Sequence, residues 1–350
     1  MDKVLFIGLG GAGQRHLRIL NDKLGSGTRY LTHRSTRHTP VLNADFSVNA
    51  EATLEDLYSV EDYPQMSDAF AENPDLCVIS TPSSLHMDTA VLAAENGADI
   101  LIEKPLSHEL DGIDRLHELV VAGNLRFLVS FQRRFHPLIA RVRALIAAGR
   151  LGKIVNAVFT VASYVPHWHP YEDFRQLYAC RADLGGGVLL TEIHELDLCR
   201  WFFGSPERVA CVGGSYSSYG LDVEDTVHVS LDYGGFGAQV NLSFMQQTPR
   251  RDFFIEGEDG YVAWNQDGNR LTFRDYKNGD HEDLADPDFQ NDDMFIAQAD
   301  HFLNHFDPAT SGAGVMDSWA SVAMVEAAKE SMRTGAFVTP RAFPSCGEIK

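Results

Sequence analysis

The sequence predicts an α/β plus α+β chain: a doubly wound parallel sheet at the N-terminus, then a large, mostly antiparallel open sheet with helices on one face. Three observations carry this. The first 130 residues alternate short continuous apolar runs with helical periodicity, the pattern of βαβ units. A glycine turn, Gly8-Leu9-Gly10-Gly11-Ala12-Gly13, joins the first run, Val4-Leu5-Phe6-Ile7, to the first helix. From residue 154 the pattern changes to strand-like runs at 154–161, 209–213, 225–233, 237–244, 252–256 and 260–264, which read as one largely antiparallel sheet. A division into residues 1–125, a dinucleotide-binding domain, and 126–350, a substrate-binding and oligomerisation domain, follows.

The glycines of the turn have separate tasks. Gly8 permits the tight turn, Gly10 lets the backbone approach a pyrophosphate, and Gly13 lets the helix pack close on the sheet. Gly11 and Ala12 open the helix, whose free amides and dipole favour phosphate. A lone GxGxxG is weak, but here a strand precedes it and a helix follows it. An acid would stand about 20 residues on if the ribose 2′-hydroxyl were to be bound. Arg29-Tyr30-Leu31-Thr32 instead runs into His33-Arg34-Ser35-Thr36-Arg37. Guanidinium and hydroxyl groups at Arg34, Ser35 and Arg37 suit a 2′-phosphate, so NADP is expected in preference to NAD.

The strand Leu76-Cys77-Val78-Ile79 ends in Ser80-Thr81-Pro82, and His86 follows; Ser80, Thr81, Pro82 and His86 are expected along the cofactor crevice. Gly97 closes a helix over 89–96, and the run Ala98 to Ile102 delivers Glu103-Lys104-Pro105. A charged amine where a parallel strand ends lies at the edge where such sheets bind ligands, which makes Lys104 a candidate catalytic acid and substrate ligand. Taken alone it is equally a solvated strand end. Residues 106–123 read as a helix, 127–131 as a further strand, and Arg133 beyond it as a cofactor contact beside Glu103 and Lys104.

The second part opens with a helix over 136–148 broken at Gly149. The stretch from Tyr164 to Arg181 is rich in aromatic and polar groups, and Tyr164, Trp168, Tyr178 and Arg181 suit a carbohydrate. His167 and His169, with Glu172 and Asp173 near, match no metal-ligand spacing, and no metal is expected. Gly185-Gly186-Gly187 opens a helix carrying Thr191, His194 and Asp197. His194 and Asp197 are three apart and share a face, so the carboxylate is placed to orient an imidazole that exchanges a proton with an alcohol. The acidic stretch 280–293 reads as a solvated loop.

Composition narrows the partners. With 350 residues, 44% hydrophobic and 22% charged, the chain is long enough for two domains. Its 49 acidic against 29 basic residues, a net charge of −20, repel nucleic acid and anionic membranes, so a small molecule is the expected partner. Five cysteines without a CxxC pair suggest neither zinc nor a disulfide framework, and a cytoplasmic location fits. No stretch approaches the roughly 18 apolar residues needed to span a bilayer. A homodimer or homotetramer is expected, because an open sheet leaves one face to cover.

Four motifs in order, Gly8-x-Gly10-x-x-Gly13-x-x-His16, Glu103-Lys104-Pro105, Gln132-Arg133-Arg134-Phe135-x-Pro137, and Gly185-Gly186-Gly187 with His194-x-x-Asp197, make the chain resemble the Gfo/Idh/MocA oxidoreductases over nearly its whole length. The resemblance implies an NAD(P)-dependent oxidoreductase moving hydride between nicotinamide and a secondary alcohol or ketone of a sugar, cyclitol or nucleotide-sugar. It assigns oxygen polarisation to Lys104 and acid/base work to His194, and a cis bond before Pro105. An aspartate that many members carry before the histidine is replaced here by Thr191 and Leu190. Two alternatives remain at this point: a cofactor-binding regulator without turnover, and an enzyme that recycles bound cofactor for hydrolysis or epimerisation.

Overall fold

The computed structural model describes residues 1–25, 27–35, 40–169, 172–307 and 313–344. The chain divides into two compact units, one built mainly of Met1–Ser130 with Phe295–Ser318, the other of Phe131–Met294 with Trp319–Phe343. The continuous part of the first unit runs past the expected boundary at 125 because the sheet's last strand follows it.

The first unit contains β1 (Lys3–Ile7), α1 (Gly11–Leu24), β2 (Arg29–His33), α2 (Leu54–Tyr58), β3 (Glu61–Asp62), α3 (Met66–Ala71), β4 (Leu76–Ile79), α4 (His86–Glu95), β5 (Asp99–Ile102), α5 (Ile113–Gly123) and β6 (Phe127–Val129). Its strands pair in parallel in the order β3-β2-β1-β4-β5-β6, the doubly wound order whose switch point lies between β1 and β4. Val4 to Ile7 and Leu76 to Ile79 are buried throughout, as parallel strands covered on both faces require. The helix expected over 106–123 begins only at Ile113. Before it Ser107, Asp111 and Gly112 favour turns, the Glu109 amide donates to Ser107 Oγ, and Gly112 takes φ +82°.

The second unit follows with α6 (Pro137–Ala147), β7 (Ile154–Tyr164), α7 (Val188–Thr191), α8 (His194–Phe203), β8 (Arg208–Gly214), β9 (Thr226–Asp232), β10 (Gly237–Ser243), β11 (Met245–Gly257), β12 (Gly260–Asn265), β13 (Arg270–Asp275) and β14 (His281–Ala285). Two long helices close the described chain, α9 (Asn291–Asn304) and α10 (Val315–Thr334). The eight strands run β14-β13-β12-β11-β7-β10-β9-β8, antiparallel except for the parallel pair β10 and β7. Phe159, Phe202 and Phe253 meet at ring separations of 5.1–6.3 Å, so α8 packs its apolar side on this sheet.

The acidic stretch 280–293 is not wholly a loop. Five of its residues form the edge strand β14, whose side chains are exposed or half-buried and carry no core signal in the sequence. β13 was likewise unforeseen, although Leu271 and Phe273 are buried on one face. The single helix expected after the three glycines is broken at Glu192 and Ile193, which places His194 at the start of α8.

Candidate active site

In the first unit, the chain turns at Gly8, where φ is +86° and a Cβ would lie 3.0 Å from the Ser80 carbonyl oxygen. A Cβ on Gly13 would lie 2.5 Å from Gly8 O and from Ser80 Oγ, so only glycine allows the helix this close to the strand ends. Ser80 Oγ donates to Gly8 O at 2.8 Å, which ties β4's end to the turn. On Gly10 a Cβ would meet nothing within 4 Å, so the space before the helix is open. No side chain caps α1 and no acid stands in its first turn, leaving its amides to an anion. Gly11 and Ala12 sit half-buried at this mouth. These features fit a dinucleotide pyrophosphate.

Glu103 and His86, expected against the cofactor, are engaged within the protein. Glu103 Oε1 lies 2.7 Å from His16 Nε2, joining the helix of the glycine turn to the end of β5. Burial alone would raise the Glu103 carboxyl, but the hydrogen bond and charge of His16, with Lys104, bring it down to about 2. Glu103 therefore stabilises the fold fully above its ordinary value of about 4.5 and loses that contribution as pH falls toward 2. Glu103→Gln removes this contribution; urea midpoints between those pH values should fall with acid less steeply in the variant than in the parent, since other carboxylates held low, such as Glu61 and Asp275, still titrate in both.

His86 is 1% exposed, with Nδ1 2.8 Å from the Pro105 carbonyl oxygen and Nε2 2.9 Å from that of Thr81. It links the loops after β4 and β5. Burial pulls the imidazole pKa down against these carbonyl contacts. The peptide bond between Lys104 and Pro105 is cis, and Lys104 is half-buried.

Arg34 does not stand free for a 2′-phosphate. Its guanidinium donates to Glu55 Oε1 at 2.5 Å and Asp62 Oδ1 at 3.3 Å. The carboxylate missing from the end of β2 is thus supplied by α2 and β3. Ser35 is exposed, Thr81 and Pro82 are half-buried, and Arg37 lies outside the described residues.

In the second unit His194 is 4% exposed, its ring edge-on to Phe131 at 6.1 Å. Gln132 Nε2 lies 3.4 Å from its Nε2, so the Gln132 side-chain amide faces this edge of the ring. Asp197, expected to orient the imidazole, is held by Arg134, whose Nε and Nη2 reach its two oxygens at 2.9 and 2.6 Å, and by Ser321 Oγ, which donates at 3.2 Å. Asp197 is 1% exposed, with both carboxylate oxygens in hydrogen bonds within the protein. Thr191 is buried at the end of α7.

A cavity of about 880 Å³ lies at the β7–β11 register shift. Trp168, Arg133, Glu192 and Arg251 line it; Tyr164, Tyr178 and Arg181 do not. Tyr164 hydrogen-bonds Tyr219 through the two hydroxyls at 2.5 Å, and Arg181 pairs with Asp183. Sequence reading missed Glu192, Glu195 and Arg251, which form a buried ion-pair cluster; Glu195 is raised, first by burial, despite Arg251. It also missed His136, whose Nδ1 accepts from the Leu138 and Ile139 amides as the cap of α6, the motif Pro137 at the first turn having been its sequence signal. Burial first, then Arg133, pushes His136 down to about 4, which keeps it the acceptor this cap requires. His169 pairs with Glu172 at 2.7 Å, and among the described residues no cluster of three or more metal-ligating side chains is present.

Residues 3–131 match the family profile for oxidoreductases with an NAD-binding Rossmann fold, and residues 139–263 match the GFO/IDH/MocA C-terminal domain. The chain belongs to the Gfo/Idh/MocA family. Its first unit is that family's NAD-binding domain. Similar family members include scyllo-inositol 2-dehydrogenase (NAD(+)) of Bacillus subtilis, 33% identical over 47% of each chain. D-xylose 1-dehydrogenase (NADP(+)) 2 of Haloferax volcanii is 28% identical over 55% of this chain and 56% of its own. The chain spans about half the length of the curated relatives it matches. In fold it is similar to an oxidoreductase from Agrobacterium radiobacter solved with NAD+, L-tartaric acid and magnesium, with TM-score 0.78 and 19% identity over 97% of this chain and 98% of that one. No described helix of this Gfo/Idh/MocA member is long and apolar enough to cross a membrane.

Proposed function

We propose that this protein is an NAD(P)-dependent dehydrogenase or reductase acting on a secondary alcohol or ketone of a sugar or cyclitol. The observation that carries the reading is the open, uncapped mouth of α1 beside the Gly8 turn, in a chain that also holds a buried imidazole at His194. When bound, the nicotinamide supplies or accepts the hydride. The amides of Gly11 to Gly13 hold the pyrophosphate. His194 takes the hydroxyl proton at Nε2, and Lys104 stabilises the negative charge that develops on the oxygen. The names of the relatives, dehydrogenases of xylose and inositol, support the substrate class. Val155, Val212 and Phe254, exposed on strands of the second unit, support a homo-oligomer that covers them.

The test is thermal shift with NADPH and NADH, followed by a panel of sugars and cyclitols read by nicotinamide fluorescence. Stabilisation by cofactor with turnover on at least one polyol is expected; no cofactor response sinks the reading. Since Arg34 is engaged by Glu55 and Asp62, the preference for NADPH should be slight. Freeing it should sharpen the choice: Glu55→Gln is expected to raise NADPH affinity relative to NADH severalfold, up to about tenfold for one charge-assisted contact. An unchanged ratio would remove Arg34 from 2′-phosphate recognition.

A further inference from the structure

Three arginines line the 880 Å³ cavity of the second unit, and among the described residues two of them make ion pairs within 4.0 Å and Arg133 does not. Arg250 donates to Asp252, and Arg251 is held by Glu192 and Glu195. Arg133 uses one of its N–H groups, from Nη2 to Gln266 Oε1 at 3.4 Å, and its Nε–H is buried without an acceptor. Among the described residues it makes no ion pair within 4.0 Å. Arg133 also lines a second cavity of about 230 Å³, so its head borders open space on two sides. Of the carboxylates lining the larger cavity, Glu192 and Asp252 pair with Arg251 and Arg250, and Asp267 is exposed.

A planar guanidinium with unused donors matches a carboxylate or phosphate, and a partly desolvated one gains most from such a partner. Burial, then repulsion by Arg251, lowers the Arg133 pKa to about 9 against the longer-range attraction of Glu195 and Glu192, neither of which makes an ion pair with it. Trp168 on the same cavity offers an aromatic face to sugar C–H groups. Neutral hydroxyls would satisfy the donors less well, because hydrogen bonds to a charged acceptor are roughly twice as strong.

We propose that Arg133 forms an anion subsite that takes the carboxylate or phosphate of an acidic sugar or polyol substrate. This rests on the reading of the second unit as the sugar-binding half. It moves Arg133 from the cofactor, where the sequence placed it, to the substrate.

The test is phenylglyoxal labelling of the full-length protein with NADP+ present, the rate at Arg133 being followed by peptide mass spectrometry. D-Gluconate, D-glucuronate, inorganic phosphate and D-glucose serve as probes. At least one anion is expected to slow labelling about tenfold at saturation while D-glucose does not, the discrimination of one charge-assisted contact. Protection by the sugar acids alone assigns a carboxylate, and by phosphate alone a phosphate. Arg133→Gln should also abolish the melting-temperature rise that the protecting anion gives the parent protein. No protection by any anion, equal protection by D-glucose, or an Arg133 that does not label overturns the proposal. The labelling needs no turnover. Protection without activity on any polyol would keep the subsite and remove the dehydrogenase reading, whereas activity on neutral sugars without protection would remove the subsite alone.

Discussion

Lys104→Met and His194→Asn each keep the cofactor-induced thermal shift and lose turnover, by about 10²–10³ for the lysine and 10²–10⁴ for the histidine. Methionine keeps the unbranched stem of lysine out to the ε position and removes the charged amine, so its loss reports stabilisation of a developing oxyanion. Asparagine keeps a polar group near the Nδ1 position but cannot take a proton, so its loss reports proton transfer through the imidazole. Both effects should fall on kcat more than on KM, because both groups act on charge that exists only in the transition state. The His194→Asn variant should also lose the pH dependence that a titrating base imposes. A variant of either residue with parental kcat would remove that residue from the reaction. Loss of the cofactor shift would show instead that the substitution had disturbed the fold.

The first sheet was legible because parallel strands buried on both faces appear as unbroken apolar runs, and because the glycine turn has one geometric meaning between a strand and a helix. Gly8 and Gly13 show why: each position has no room for a side chain. The second sheet was legible in its centre and not at its edge. Leu284, half of whose strand neighbours are charged, gives no sign of pairing with Leu271. The chemistry divides in the same way. Lys104 and His194 carried motifs. The pairing of Glu103, Arg34 and Asp197 with His16, Glu55 and Arg134 did not show, because these partners lie 87, 21 and 63 residues away along the chain. A local spacing such as His194-x-x-Asp197 shows which groups can share a helix face; it cannot show that a more distant guanidinium claims one of them.

That last case gives the largest expected effect on stability. Asp197→Ala removes three hydrogen bonds and leaves Arg134, 6% exposed, as an unpaired buried cation. Breaking such a pair costs about 3–5 kcal/mol, a large share of the roughly 5–15 kcal/mol that holds a domain. The rings of Phe131 and Trp201, 5.5 and 5.7 Å from the guanidinium, soften the loss without replacing the carboxylate. All four tryptophans, Trp168, Trp201, Trp264 and Trp319, lie in the second unit, so intrinsic fluorescence during urea unfolding reports the unit in which the pair is broken. The midpoint is expected to fall sharply in Asp197→Ala, less in Asp197→Asn, and to recover in the double variant Arg134→Met with Asp197→Leu, where no charge is left buried. The alternative role, a carboxylate that orients His194, makes the opposite forecast: turnover would drop while the urea midpoint held. A parental midpoint with impaired kcat would therefore return Asp197 to the imidazole. A lowered midpoint with parental kcat in the folded fraction would remove Asp197 from the reaction and leave it the partner of Arg134.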